Sequence, residues 1–328
     1  MVYLIAPYRI VYNKFDSRDF DVICDCAFDS DSGETETYLN RESVSSESHD
    51  GSLRRTHSYK YSDVLAPKIT FIKDGFGEFS MDEARRIHKW LTSKNTPSFL
   101  DVYFDDSEAI TYSILGGFSE IVDYKIANNR TIGIVATFES VAPYAFSALT
   151  SLSKDMSDPT DNTLKIHIET DEATKPIYPK ITVKHGNSII VEIDHVPNNT
   201  ETWLPGTVYH YDDKYYWLNS DNYKIIDNDT TNTSNIDTTS VVITNTHTDE
   251  YGETKIVTMN LVNDVREEVV VIDGANKTIV SDRTSGRIFG DSFSWNWLPL
   301  FDGDNTISVV GNCEITVEWR SPMKVGEW

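Results

Sequence analysis

Only one stretch of this 328-residue chain repeats apolar residues at helical spacing, and that restricts its folds more than any other feature. Ser80-Met81-Asp82-Glu83 reads as a capping box. The Ser80 hydroxyl can accept from the Glu83 N–H while the Glu83 carboxylate reaches back to the Ser80 N–H. Met81, Ala84, Ile87, His88 and Leu91 then recur on one stripe, and Pro97 closes the segment. His88 reads as a packed or surface side chain rather than a ligand. Elsewhere short apolar runs alternate with the period of two that a half-buried strand needs. They fall at 2–5, 20–23, 69–71, 99–104, 111–115, 121–126 and 131–138, with Gly116-Gly117 and Asn128-Asn129 as punctuation. Beyond residue 163 no helical period occurs. One helix among many strands excludes a βαβ fold and predicts a mainly β chain.

This length favours two domains of roughly 150 residues each. The first is expected over 1–150, with a polar stretch at about 29–60 that reads as a long loop or extended hairpin needing a neighbour to order it. Residues 151–163 read as a linker. The second domain, 151–328, carries short strands at 164–168, 179–183, 189–193, 241–244, 254–261, 268–272, 278–280, 306–310 and 314–319. Such spacing predicts a sandwich or jelly roll. Residues 198–238 look like an insertion, dense in aromatic residues at first and then polar and low in complexity.

The formal charge of −23 narrows the partners. Residues 1–149 hold 15 Lys+Arg against 23 Asp+Glu, and residues 150–328 hold 14 against 29, so both halves repel phosphate. Specific or backbone-driven nucleic-acid binding is not expected, nor is an anionic membrane surface. An acidic wall past which DNA slides is compatible with that balance. Cys24, Cys26 and Cys313 are odd in number and lack Cys-x-x-Cys spacing, which fits reduced thiols made in a cytoplasm and argues against thiolate zinc. The first residues carry no basic region and no long apolar run, so they read as a strand rather than a signal peptide.

Catalysis finds little support. Phe289-Gly290-Asp291-Ser292-Phe293-Ser294 resembles the nucleophile block of the GDSL-type esterases, but no histidine follows Ser292; the last is His247. A serine without a base stays a weak nucleophile. Asp29-Ser-Asp31-Ser-Gly33 lacks the Gly and Glu positions of a calcium loop, and Asp302-Gly-Asp304-Asn305 reads as a turn. No cofactor, metal site or catalytic residue is assigned. The chain reads as one that assembles and binds.

Two surfaces stand out. Arg54, Arg55, His57 and Lys60 form a basic cluster that can meet acidic residues of a neighbouring subunit or simply be solvated. Trp203, Tyr209, Tyr211, Tyr215, Tyr216, Trp217 and Tyr223 fall within 21 residues. Their order resembles the strand pair of small chitin-binding-type modules. Glycan contact, protein contact and a miniature core of their own are all open to such rings.

Several segments, taken in order, resemble the distal tail proteins of phages with long, flexible, non-contractile tails. They are Tyr59-Lys60-Tyr61 through Ile69-Thr70-Phe71, Leu100-Asp101-Val102-Tyr103, Ile114-Leu115-Gly116-Gly117-Phe118, and Gly133-Ile134-Val135-Ala136-Thr137-Phe138-Glu139-Ser140 leading into Ala142-Pro143-Tyr144-Ala145. In the second half Val271-Ile272-Asp273-Gly274-Ala275-Asn276, Trp297-Leu298-Pro299-Leu300 with Gly303-Asp304-Asn305-Thr306-Ile307, and Val317-Glu318-Trp319-Arg320 continue the match. The resemblance implies an N-terminal β-sandwich or split-barrel ring domain with one α-helix, and a C-terminal galectin-like, jelly-roll β-sandwich. It implies a homo-hexameric ring at the tail tip of the virion. Its partners would be the tail tube protein, the hub or tape-measure-associated tip protein, and a receptor-binding protein or host cell-wall glycan. The 29–60 stretch would be the belt that pairs with the next subunit. A stand-alone, lectin-like carbohydrate-binding protein is the alternative.

Overall fold

The computed structural model describes residues 8–27, 41–47, 54–61, 64–104, 108–126, 129–158, 160–172, 175–185, 189–192, 194–195, 207–212, 214–218, 224–227, 239–263, 268–282, 290 and 293–324. The chain is mainly β with one α-helix and divides into two units, 1–148 with 321–328, and 149–320. None of its sheets closes into a continuous barrel.

In the first unit the strands are β1 (Tyr8–Tyr12), β2 (Phe15–Asp16), β3 (Val22–Ala27), β4 (Arg41–Glu47), β5 (Arg54–Tyr61), β6 (Lys68–Lys73), β7 (Ser98–Phe104), β8 (Tyr112–Ile126), β9 (Arg130–Ser140) and β10 (Ala145–Phe146). The helix α1 (Met81–Leu91) lies between β6 and β7. The sheet runs β2-β1-β3-β6-β9-β8-β10, and β7 pairs with both β1 and β8. That double pairing curls the sheet nearly onto itself. The curl stays split because β1 and β3 share the single register pair Tyr8↔Cys24, whereas β1 and β7 share five.

The curl encloses one apolar core. Ile10, Tyr12, Ile69, Phe71, Leu100, Ile114, Ile134 and Phe138 come from its strands, and Ala84, Ile87, Trp90 and Leu91 from α1. The capping box forms: Glu83 N–H donates to Ser80 Oγ at 3.2 Å, and Ser80 N–H donates to Glu83 Oε2 at 2.7 Å. Met81 is not part of the buried stripe. It is 88% exposed. Trp90 replaces it as the large anchor. Its ring stacks on Phe20 at 4.5 Å and its indole N–H donates to the Tyr12 carbonyl at 3.0 Å. His88 is half-buried and pairs with Asp123 at 2.9 Å.

Gly116-Gly117 does not break the strand there. The two predicted strands are one, β8, which passes Gly116 so close to β9 that an added Cβ would lie 2.0 Å from the Glu139 carbonyl oxygen. The glycine permits an approach between backbones, not a turn.

The second unit contains β11 (Thr150–Asp155), β12 (Thr163–Ile168), β13 (Lys180–His185), β14 (Ile189–Glu192), β15 (Thr207–Tyr211), β16 (Lys214–Leu218), β17 (Lys224–Asp227), β18 (Thr239–Thr248), β19 (Thr254–Asn263), β20 (Val269–Asp273), β21 (Thr278–Ser281), β22 (Gly303–Val310) and β23 (Cys313–Trp319). The final strand, β24 (Pro322–Met323), returns to the first unit and pairs with β10. Sheet β11-β23-β13-β20-β21 faces sheet β12-β22-β18-β19 across a shared core. Ile181, Val183, Ile272, Ile315 and Val317 meet Ile166, Ile243, Met259, Leu261, Ile307 and Val309 there. This is a two-layer β-sandwich.

Residues 151–155, expected as part of a linker, belong with Thr150 to the edge strand β11, in six-residue register with β23. All its side chains but the exposed Leu152 are polar, because only an edge, not a core, has to be satisfied. Of Asp302-Gly303-Asp304-Asn305, expected as a turn, only Asp302 precedes β22; the other three already pair with β12, and Asn305 Oδ1 accepts from the Phe301 N–H at 2.9 Å and from Asn245 Nδ2 at 3.0 Å. Cys24 and Cys313 are buried, and burial pushes the Cys313 thiol up to about 12, so it stays protonated. Ser292 and the 29–33 segment lie outside the described residues.

Gly116→Ala should destabilise the first unit by about 3 kcal/mol or more, at the upper end of overpacking costs, since the clash is with backbone. Chemical denaturation checks this. The Glu83 carboxylate accepts from Lys73 Nζ at 2.7 Å and from Ser80, which holds it down at about 2. Its stabilising contribution should therefore be complete above the ordinary glutamate range and fade as pH falls toward 2. Glu83→Gln should flatten that acid limb of the melting temperature.

Candidate functional site

The polar segment between β3 and β6 supplies the first candidate surface. Its strands β4 and β5 pair from Arg41↔Tyr61 to Glu47↔Arg54 and form a sheet of their own. A register shift after Val44 leaves His57 as the extra residue of a bulge. Glu42 and Lys60 lie opposite each other and make a 3.3 Å ion pair, and Glu47 opposes Arg54. His57 Nε2 bonds Ser46 Oγ at 2.6 Å. Opposite charges facing across the strands set the register.

None of the hairpin residues whose burial is described is buried; Val44, its apolar member, is exposed. A two-stranded ribbon without a covered face is marginal alone, because no apolar burial offsets the entropy of ordering it. Of the basic cluster, Lys60 and His57 are exposed and each has a partner inside the hairpin. Arg54 and Arg55 are placed by their backbone at its far end.

A second surface was not legible as such in sequence. β8 is longer than its neighbours: β7 covers Tyr112 to Gly116, while β9 follows β8 to Ile126. Over 117–126 the described ladders pair β8 on one side only. This open edge carries Val122, Tyr124 and Ile126, all exposed, with Tyr124 at 61%. The apolar alternation was visible. Its exposure was not, because that depends on where β7 stops.

The aromatic segment folds into a third feature, the sheet β14-β15-β16-β17. It starts earlier than expected. β14, read from sequence as a sandwich strand, pairs in parallel with β15 from Ile189↔Thr207. Tyr209 faces Tyr216 across β15 and β16, and Tyr211 faces Lys214. Tyr216 is 3% exposed, so its ring belongs to the packing of this sheet, while Tyr209 and Tyr211 are half-buried. Tyr215 and Trp217 are placed by backbone alone, opposite His210 and Ile225. Trp203 and Tyr223 lie outside the described residues.

Residues 8–141 match the family model described as the phage tail protein N-terminal domain, and residues 209–319 match the phage tail C-terminal domain. The second match begins inside the aromatic segment, so the family domain includes β16 and β17. No curated protein sequence matches the chain. The crystal structure of the Dit protein of phage SPP1, described as a paradigm of the hub adsorption apparatus in phages infecting Gram-positive bacteria, aligns with a TM-score of 0.50. The identity is 10%, over 95% of this chain and 98% of that one. A chain of the phage P2 baseplate in its activated conformation with calcium aligns at 0.45 with 10% identity, over 99% of each. At such identity the likeness concerns fold.

In the isolated chain the β4–β5 amides should exchange with deuterium within about minutes, at the low-stability end of the molecule, while β6 and β9 stay protected. Hydrogen-exchange mass spectrometry reads this directly, and equal protection of the two would show that the hairpin has a covered face.

Proposed function

Because the chain belongs to the phage tail proteins whose N- and C-terminal domains it matches, we propose that its copies close into a six-membered ring at the tail tip. The ring would join the tail tube to the hub and carry the receptor-binding machinery. Membership of the family makes it a structural, Dit-like component of the virion; the ring and its neighbours are our reading. One observation supports it: the β4–β5 hairpin is a ribbon in which none of the residues of described burial is buried.

A partner that covers such a ribbon and occupies an open strand edge answers both needs at once. A second copy offers both, with the 117–126 edge of β8 as one available ladder. Heterologous contacts of this kind close into a ring when the rotation divides a full turn. Arg54, Arg55, His57 and Lys60 would then meet acid on the neighbour, which a chain of charge −23 supplies readily. The same charge lines a passage through which DNA moves without sticking. The second unit would be the galectin-like outer domain, made in the host cytoplasm with the rest and assembled there. No catalytic role is assigned.

Host-glycan contact by the β14–β17 sheet is the finer part of the proposal. Tyr209 and Tyr211 are the partly exposed rings that favour it, and Tyr216 adds nothing on that surface. A stand-alone lectin would share this sheet but would stay single in solution.

Mass photometry and negative-stain imaging of the full chain should show sixfold rings, and removal of 41–61 should leave monomers with the second unit still folded. Charge reversal at Arg54 and Arg55 should raise the concentration needed for assembly. A full-length chain that remains monomeric at high concentration would refute the ring. Unchanged host-wall binding after replacement of 207–227 would refute adhesion by the small sheet alone.

A further inference from the structure

Away from the aromatic segment, the second unit holds another set of rings, brought together from three distant parts of the chain. Trp295 is 53% exposed, lies 6.4 Å from Trp297 between centroids, and is backed by buried Phe293 at 5.5 Å. Lys277 places its ammonium 5.1 Å from the Trp297 ring and 3.5 Å from that of Tyr178, which is 38% exposed. The result is a continuous row: Tyr178, Lys277, Trp297, Trp295.

The row is held rigidly. Ile177 and Leu300 exchange both backbone hydrogen bonds, at 2.8 and 2.7 Å. The β20–β21 turn docks on Tyr178-Pro179, where Gly274 N–H donates to the Pro179 carbonyl at 3.0 Å, and a Cβ on Gly274 would come within 2.8 Å of that oxygen. Ser294 bonds Asn260 in both directions, and Asn296 Nδ2 donates to the Thr258 carbonyl. Trp295 has φ 56 and Lys277 φ 55, both left-handed. For a tryptophan that conformation is unfavourable and persists only where surroundings enforce it. Here it holds a large apolar ring in solvent, its indole N–H fixed on the Gly290 carbonyl at 2.9 Å. Core packing does not require such an arrangement.

We propose that Tyr178, Lys277, Trp297 and Trp295 form a binding site for an anionic saccharide. Rings at 68° to one another suit the CH faces of successive sugar units better than one flat protein patch. Asn276, Lys277, Ser294 and Asn296 border the rings with polar groups, as a saccharide's hydroxyls require. The sign of the ligand comes from Lys277. It has no carboxylate partner among the described ion pairs, and burial against the rings lowers its pKa without a compensating acid. A cation so placed on a chain of charge −23 is a focus for a carboxylate or phosphate group.

The test uses the full chain on an array of paired neutral and uronate- or phosphate-bearing oligosaccharides, followed by tryptophan-fluorescence titration of the strongest hit. Binding should favour the anionic member of each pair. Trp295→Ala should weaken it about tenfold, the scale of one lost ring contact, with an unchanged melting temperature. Lys277→Asn, which tolerates the left-handed backbone, should erase the preference for anionic sugars while keeping the neutral contact. No bound saccharide overturns the proposal, as does binding that Trp295→Ala leaves intact. Capture of a tail protein instead, lost in Trp295→Ala, reassigns the row as a protein interface. A monomer that binds the sugar leaves this inference standing and removes only the ring.

Discussion

Each β-strand presents hydrogen-bonding groups on two sides, and in this molecule the satisfaction of strand edges governs what the chain can be. The first unit meets the demand by curling, so that β7 lies between β1 and β8 and few edges remain. The second stacks two sheets, flanks β23 with the polar β11, and leaves β11, β21, β12 and β19 as edge strands. Among the described residues, the outer part of β8 and the separate β4–β5 ribbon also keep unpaired edges. In the proposed assembly, a ladder with another chain would satisfy them.

The helix fits the same logic from the other direction. It plugs the mouth of the curl with Ile87, Trp90 and Leu91, and its N-terminus is tied back to the sheet through Glu83 and Lys73. Trp90 matters beyond its volume. Its indole donates to the Tyr12 carbonyl, so the ring that fills the core also satisfies a backbone group of β1. Helix position, curl and β1 register are thereby coupled, which lets one face of the unit stay firm while the hairpin has none of that support.

Much of this was legible. The capping box, the alternation of β6, β9, β13 and β23, and the one-helix architecture follow from local rules that context did not overrule. The exceptions share a cause. Gly116-Gly117 reads as a break because glycine is common in turns, yet Gly116 serves a close approach to Glu139 that only the assembled sheet reveals. The 151–155 segment reads as linker because it is polar, yet an edge strand needs no apolar face. Met81 fits the helical stripe by spacing, but the stripe is buried only as far as the sheet extends beneath it. In each case the residue's partner is remote in sequence.

The aromatic residues show most clearly why density is a poor guide to a binding surface. Within 207–218 rings recur so closely that alternation along β15 and β16 must send some of them inward, and Tyr216 is one. Trp295 and Trp297 stand in a sparser run, with Phe289, Phe293 and Phe301 as their aromatic neighbours in sequence. Yet they meet Tyr178 and Lys277 through a loop whose backbone is bonded at several points. A ring that packs lowers the free energy by leaving water, and needs no special backbone to do so. A ring kept in water by a left-handed residue and a fixed indole hydrogen bond raises it, and the fold tolerates that only because the surrounding contacts outweigh it. Strain that burial does not explain therefore separates a presented ring from a packed one; in this chain it marks Trp295 and the more exposed Phe76, and of the two only Trp295 also stands among other rings and a lysine.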